Sequence, residues 1–342
     1  MNQFRPHLSA AETRFGGGGR GRGGSGSSDD DEMLLAYPAE EQSRAALYKL
    51  APAAERLRVV QLPRARSLPS VAPLALKLET WLRIVDLPYT NVSNRFWKKS
   101  SKGQLPYVAL DGVHLAETNF IIARLVDEFE KSAIDAWLTP EQKAHARAFW
   151  ALLEEQLAWV LEYSRSLDND WLVSDRFLGG HFGAIKHRLV RALVLPFLRR
   201  RASKRVRQQG IGRCTPLEVE KAAKTALDAL SSQLASQKYF FGARPCTLDA
   251  SAFGVLAQFV YTPLFAPAIL AHMRECTPNL VEYVGCVKEE YWPDWDEACE
   301  RITFETDWKR SKIFNERYSL VPCDISSKNL TEMDEVTNNH KK

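Results

Sequence analysis

Three stretches of the sequence hold residue types that can do chemistry together. They are Ser67 and Ser70 in a loop ahead of Pro73, the segment Gln104-Leu105-Pro106-Tyr107-Val108, and Ala116-Glu117-Thr118. A proline that opens a strand has no ladder donor to give, so Pro106 belongs at a strand start or an edge. A cis bond there would turn the N–H and C=O of Leu105 into a cleft, where they can pair with an extended peptide as a short added strand. Glu117-Thr118 at a helix start offers free N–H groups and partial positive charge to a carboxylate, and the Thr118 hydroxyl adds a hydrogen bond. The same two residues also serve as a plain helix cap. Ser67 and Ser70 can hydrogen-bond a thiolate beside a helix N-terminus, whose dipole lowers a thiol pKa. The residue directly before Pro73 is Ala72, which has no group for that task.

The elements that would position these residues can be read from periodicity. Leu57, Val59 and Val60 begin a short strand that ends at Leu62-Pro63. Pro73 sits where a first helical residue is favoured. Leu74, Leu78, Trp81, Leu82 and Val85 then form one apolar helix face, with Glu79 and Arg83 expected to pair on the exposed side. Leu87-Pro88 ends this helix, and Pro88 to Val92 reads as a second strand. Tyr107 to Leu110 and Val113 to Leu115 flank Asp111-Gly112, a strong hairpin signal. A helix over about Thr118–Phe129 follows. A helix crossover of this length joins parallel strands, so the order is βαβ–ββα, that of a thioredoxin-like domain.

From Thr139-Pro140 onward the sequence reads as helix, with Thr139 as N-cap and Glu141 as an early acid. Further helices are expected near Phe182–Gln208, Pro216–Gln237, Leu248–Val260, Ala266–Arg274 and Pro278–Glu290. The fold class is therefore α/β plus all-α: a thioredoxin-like domain followed by a helical domain, the layout of glutathione transferases. The expected organisation is a Gly/Arg/Ser-rich and acidic tail over 1–55, the thioredoxin-like domain over 56–131, the helical domain over 139–308 and a C-terminal tail over 309–342. The first tail cannot bury enough apolar surface to offset its ordering entropy. In this layout Leu105, Pro106, Glu117 and Thr118 are the expected glutathione-binding positions, Pro106 is expected to be cis, and Ser67 or Ser70 would serve the thiolate.

Composition narrows the function classes. The 342 residues carry a formal net charge of +4, too small for a surface coated in base for nucleic acid. The six cysteines form no C-x-x-C pair, which excludes a zinc ribbon or a redox dithiol, and they read as reduced thiols with buried packing roles in a cytosolic protein. No histidine spacing fits a metal site, and no phosphate-binding G-x-x-x-x-G-K is present. No secretory signal is visible. Thr247 is expected to cap an uncharged helix with Asp249 in its first turn, so both have a structural capping role. From Ala250 to Ala271 no residue is charged, but Pro263 and Pro267 interrupt the run, which fits a buried helix and a loop. Arg199, Arg200, Arg201, Lys204, Arg205 and Arg207 follow Leu189, Val190, Leu193, Val194, Leu195, Phe197 and Leu198. The basic run is a solvated helix end, a peripheral contact for an anionic membrane, or a contact for an acidic protein or RNA.

Several segments together resemble the failed axon connections family, a metaxin-related branch of the glutathione-transferase superfamily. They are Leu76 to Arg83, Gln209-Gly210-Ile211-Gly212-Arg213, Phe240-Phe241-Gly242, Thr247-Leu248-Asp249-Ala250 with Phe253-Gly254, Pro278-Asn279-Leu280, and Tyr291-Trp292-Pro293-Asp294-Trp295. The resemblance covers about residues 57 to 300. It implies a transferase-type fold and an intracellular protein linked to axon development, acting through protein partners, with homodimers common in the superfamily. Family members often carry Ser-Pro-Phe-Cys at the opening of the first helix, where this chain has Ala72-Pro73-Leu74-Ala75. Three readings follow: an interaction protein with little or no catalysis, a working glutathione transferase, or a metaxin-like adaptor at the mitochondrial outer membrane.

Overall fold

The computed structural model describes residues 56–96, 100 and 103–306. The expected tails lie outside these residues. Four strands form one mixed sheet in the order β2-β1-β3-β4: β1 (Leu57–Gln61), β2 (Thr90–Ser93), β3 (Tyr107–Leu110) and β4 (Val113–Ala116). β1 runs parallel to β2 with Val59 beside Asn91, and antiparallel to β3 with Val59 opposite Val108. The β3–β4 turn is Asp111-Gly112, with φ of 51° and 86°. Positive φ at both positions gives the twist that a two-residue hairpin needs. Arg56 ties this turn down, donating to Asp111 at 3.0 and 2.8 Å and to Glu128 at 2.6 Å.

α1 (Pro73–Ile84) crosses between the parallel strands, and α2 (Thr118–Glu128) follows the hairpin. The expected element order of a thioredoxin-like half is thus present. α1 departs from expectation in one respect. It is buried on nearly every side, from Ala75 through Arg83. The sheet covers the face carrying Leu78, Trp81 and Leu82. The opposite face meets α8 (Thr247–Tyr261) of the helical half. Glu79 and Arg83 are therefore not on an exposed face, and both are essentially inaccessible.

The helical half starts with α3 (Pro140–Ala151), a π-turn over Leu152–Leu157, and α4 (Ala158–Leu167). Thr139 and Gln142 form a reciprocal capping box at its start. After 3₁₀ turns between Asp170 and His181 come α5 (Ala184–Leu189), a second π-turn (Val190–Val194) and α6 (Leu195–Gln209). Pro196 explains the second π-turn. It has no N–H to give the α-helical bond, and the Leu195 N–H reaches back five residues to the Val190 carbonyl. α7 (Pro216–Leu234), α8, α9 (Pro267–Glu275), α10 (Pro278–Tyr291) and α11 (Trp295–Arg301) complete the half. α8 is buried from Leu248 to Val260 and forms the centre of the large apolar core. No helix among the described residues is long and apolar enough to cross a membrane.

Candidate functional site

The stretch between β1 and α1 decides what the cleft can do. Leu68, Pro69, Ser70 and Val71 are buried there. The Ser70 hydroxyl accepts the Ala72 N–H at 3.3 Å, and the Ser70 carbonyl accepts from the Gln258 amide at 2.9 Å. Arg165 donates to the Val71 carbonyl at 2.7 Å. Ser67 is half-buried and donates to the Arg176 carbonyl at 2.8 Å. Arg66 N–H reaches the Phe177 carbonyl, and His181 Nε2 lies 2.7 Å from the Arg64 carbonyl. The polar groups of this loop are thus engaged by α4, α8 and the segment from Arg176 to His181. At the head of α1 stands Ala72, with no capping side chain.

The peptide-holding half is formed differently. The Leu105–Pro106 bond is cis, and Pro106 is buried while Leu105 is half-buried. Glu117 occupies the N-cap position of α2 at φ 75°, ψ 109°, and its side chain makes no capping bond. A non-glycine residue held at positive φ costs about 1–3 kcal/mol, and such strain concentrates where side chains are aimed for function. Thr118 is buried behind it, as the first residue of α2. Leu105, Pro106, Glu117 and Thr118 thus stand at the strand and helix starts expected of them, whereas the head of α1 carries alanine, with Ser67 bonded to a carbonyl and Ser70 buried.

A buried lysine adjoins this half, and sequence periodicity gave no sign of it. Lys77 Nζ donates to Asn119 Oδ1 at 2.6 Å and pairs with Glu154 at 2.5 Å. It joins α1, the head of α2 and the π-turn that presents Glu154. Burial pushes the Lys77 ammonium below its ordinary value, and Glu154 opposes that shift.

A second polar cluster starts inside the thioredoxin-like half, around Glu79, and reaches the helical half through Arg83. Glu79 accepts from Arg64 at 2.7 and 2.5 Å, from Gln61 and Asn91 at 2.8 Å each, and from Tyr89 at 2.9 Å. Arg83 pairs with Asp294 through both terminal nitrogens and donates to the Tyr291 carbonyl at 3.0 Å. Its guanidinium stacks 3.7 Å over the Trp292 ring, whose N–H donates to Thr80 at 2.9 Å. Two cations and two anions thus balance in a fully buried cluster. That is the condition under which buried charges are tolerated.

The start of α8 differs from expectation by one residue. Cys246 holds the N-cap position and Thr247 is the first helical residue, so the cap is not Thr247. The Thr247 hydroxyl instead accepts from the Trp81 indole at 3.2 Å. Asp249 accepts from the N–H groups of Cys246 (2.8 Å) and Phe240 (3.1 Å) and from Tyr283 Oη (3.2 Å). Burial raises the Asp249 carboxyl to about 6, against these hydrogen bonds. Asp249→Ala orphans several buried donors, so we expect a loss of about 2 kcal/mol, against about 1 for Thr247→Ala. Unfolding curves of the two variants check this, and equal losses would count against Asp249 as the main cap. Among the cysteines, Cys246 and Cys299 are buried as expected, whereas Cys214 and Cys276 are exposed. The basic run is only partly free, because Arg199 pairs with Asp168 and Asp170 and Arg205 pairs with Glu162.

A thioredoxin-like half with a cis-proline cleft, docked on a helical half, defines a protein of the glutathione-transferase class. Residues 73–171 match the glutathione S-transferase N-terminal domain, and residues 223–287 match the glutathione S-transferase C-terminal domain. The chain is 36% identical over 254 residues to Failed axon connections of Drosophila melanogaster, a match covering 71% of this chain and 59% of that protein. It is 30% identical over 247 residues to the metaxin-1 homolog of Caenorhabditis briggsae, covering 70% of this chain and 73% of that one. It is 26% identical to the isoprene-epoxide glutathione S-transferase of Rhodococcus sp. strain AD45, covering 66% of this chain and 94% of the enzyme. The chain belongs to the metaxin-related, glutathione-transferase-like family, and it spans less than two thirds of the length of Failed axon connections.

Proposed function

We propose that this protein is a transferase-like interaction protein without appreciable conjugation activity, acting through protein partners in the cytoplasm in axon or neuronal development. The carrying observation is the loop before α1. Ala72 stands at the head of the helix, the Ser67 hydroxyl donates to the Arg176 carbonyl, and the Ser70 hydroxyl is fully buried where it accepts the Ala72 N–H. A thiol brought there finds no hydroxyl or thiol of the protein to lower its pKa, which leaves only the helix dipole. The axonal part of the proposal draws its support from the identity to Failed axon connections. The test is a conjugation assay on the full chain with glutathione and a standard chloro-dinitrobenzene electrophile. We expect no rate above the uncatalysed background. A rate abolished by Ser67→Ala with Ser70→Ala would overturn the proposal.

A second reading is a working glutathione transferase, favoured by the peptide-holding half and by the likeness to the isoprene-epoxide enzyme. Calorimetry separates ligand holding from catalysis. If Leu105, Pro106, Glu117 and Thr118 hold glutathione, Thr118→Ala weakens binding by about ten- to a hundred-fold, the value of one lost hydrogen bond to a charged group. Binding that is unchanged in the variant would remove those residues as the site.

A further inference from the structure

From Gly183 to Gln209 the sequence has nine lysines and arginines and no acidic residue. This segment is α5, the π-turn and α6. Leu195, Ala202 and Val206 fix it to the rest of the protein, together with the Asn169 amide on the Leu195 carbonyl at 3.2 Å. The other side is apolar and open. Ile185 is 78% exposed, Leu189 54%, Leu193 67% and Phe197 60%. Residues four apart on an α-helix drift by about 40° per step. The wider π-turn winds more slowly and offsets that drift, which keeps the four side chains in one row. Val194 and Leu198 widen the row. Soluble proteins rarely leave a contiguous apolar row of this kind uncovered.

The charge around the row selects what covers it. Arg191, Arg199 and Arg205 are held by Asp170, Asp168 and Glu162. Lys186, Arg188, Arg200, Arg201, Lys204 and Arg207 are exposed and carry no ion pair among the described residues. A second copy of the same face would bring these cations against one another. A helix with an apolar row and a basic surround is suited to lie in the interface of an anionic bilayer, with the apolar side chains below the headgroups. We propose that the α5–α6 face docks on anionic lipid surfaces, as a peripheral contact separate from the cleft.

The test is co-sedimentation of the full chain with vesicles of phosphatidylcholine alone or with about one-third phosphatidylserine. Two variants are compared: Leu189→Glu/Leu193→Glu/Phe197→Glu and Arg200→Glu/Arg201→Glu/Lys204→Glu. All six positions are exposed, and circular dichroism is used to check that both variants keep the fold. We expect binding to the anionic vesicles only, weakened by salt. Each cation near such a surface contributes several-fold, so the charge-reversal variant should lose about 100-fold in partition. The apolar variant should lose a similar amount. Absence of binding to anionic vesicles, or binding indifferent to both variants, overturns the proposal. So does a wild-type dimer that the apolar variant dissociates and that ignores vesicles.

Discussion

Glu79→Gln is expected to lower the stability of the protein by about 3–5 kcal/mol, a large share of the roughly 5–15 kcal/mol that holds a folded protein together. Glutamine keeps the volume but removes the anion. Arg64, fully buried beside it, then has no counter-charge, and whichever way the amide turns its hydrogens face at least two existing donors. Removing one member of a buried pair costs this much because a charge is left desolvated and alone. The measurement is the shift in urea midpoint at unchanged slope. A shift below about 1 kcal/mol would mean that water or rearrangement reaches the cluster.

The same residue sets an acid dependence. Burial alone would raise the Glu79 carboxyl, but Arg64 above all, then Arg83 and the Gln61 amide, hold it down to about 2. Its folded value lies below the unfolded one. Its stabilising contribution is therefore complete above about pH 4.5 and is lost as pH falls from there toward 2. The difference between 4.5 and 2 corresponds to about 3 kcal/mol. Stability measured from pH 6 down to 2.5 should fall less steeply in Glu79→Gln than in the wild type. Parallel profiles would contradict this.

The second large effect is expected at Gly254, in the middle of α8. A Cβ there would lie 2.6 Å from the Pro73 carbonyl oxygen and 2.8 Å from the Lys77 backbone nitrogen. The obstacle is mainly α1 backbone, which cannot rotate out of the way. Alanine is the better helix residue by about 1 kcal/mol, so Gly254→Ala would stabilise an unobstructed helix. We expect instead a net loss of about 3 kcal/mol, the upper part of the overpacking range. Because α1 also carries Lys77, Glu79 and Arg83, the variant should disturb both the interface cluster and the head of the cleft. A melting temperature at or above wild type would show that the two helices are not in this close contact.

These effects indicate what the sequence could and could not disclose. The strands, the Asp111-Gly112 turn, the ends of α2 and the start of α7 follow from local pattern, because turn chemistry and one-sided burial leave a periodic trace. α1 was misread for a physical reason. Its second face is polar in sequence, which ordinarily means solvent, but here α8 and the Tyr291–Asp294 segment cover it and supply partners. Only the pairing of distant residues distinguishes the two cases: Arg83 with Asp294, Thr80 with Trp292, Trp81 with Thr247. Each of these pairs joins two of the segments that carry the family resemblance, so part of that signature is a record of one domain interface. The Lys77–Glu154 pair was hidden in the same way, behind a π-turn that ordinary helical spacing does not anticipate. At the cleft, Pro106, Glu117 and Thr118 were legible from strand and helix boundaries. The engagement of Ser67 by the Arg176 carbonyl was not, since 109 residues separate them.

The central claim is that the head of α1 no longer handles a thiol. The most direct measurement is the pKa of glutathione's thiol in the presence of saturating full-length protein, followed by thiolate absorbance near 240 nm. The account predicts a value lowered by no more than about half a unit, the helix dipole's share alone, with no conjugation of electrophile above background. A thiol shifted down by a unit or more, and restored by Ser67→Ala with Ser70→Ala, would contradict it.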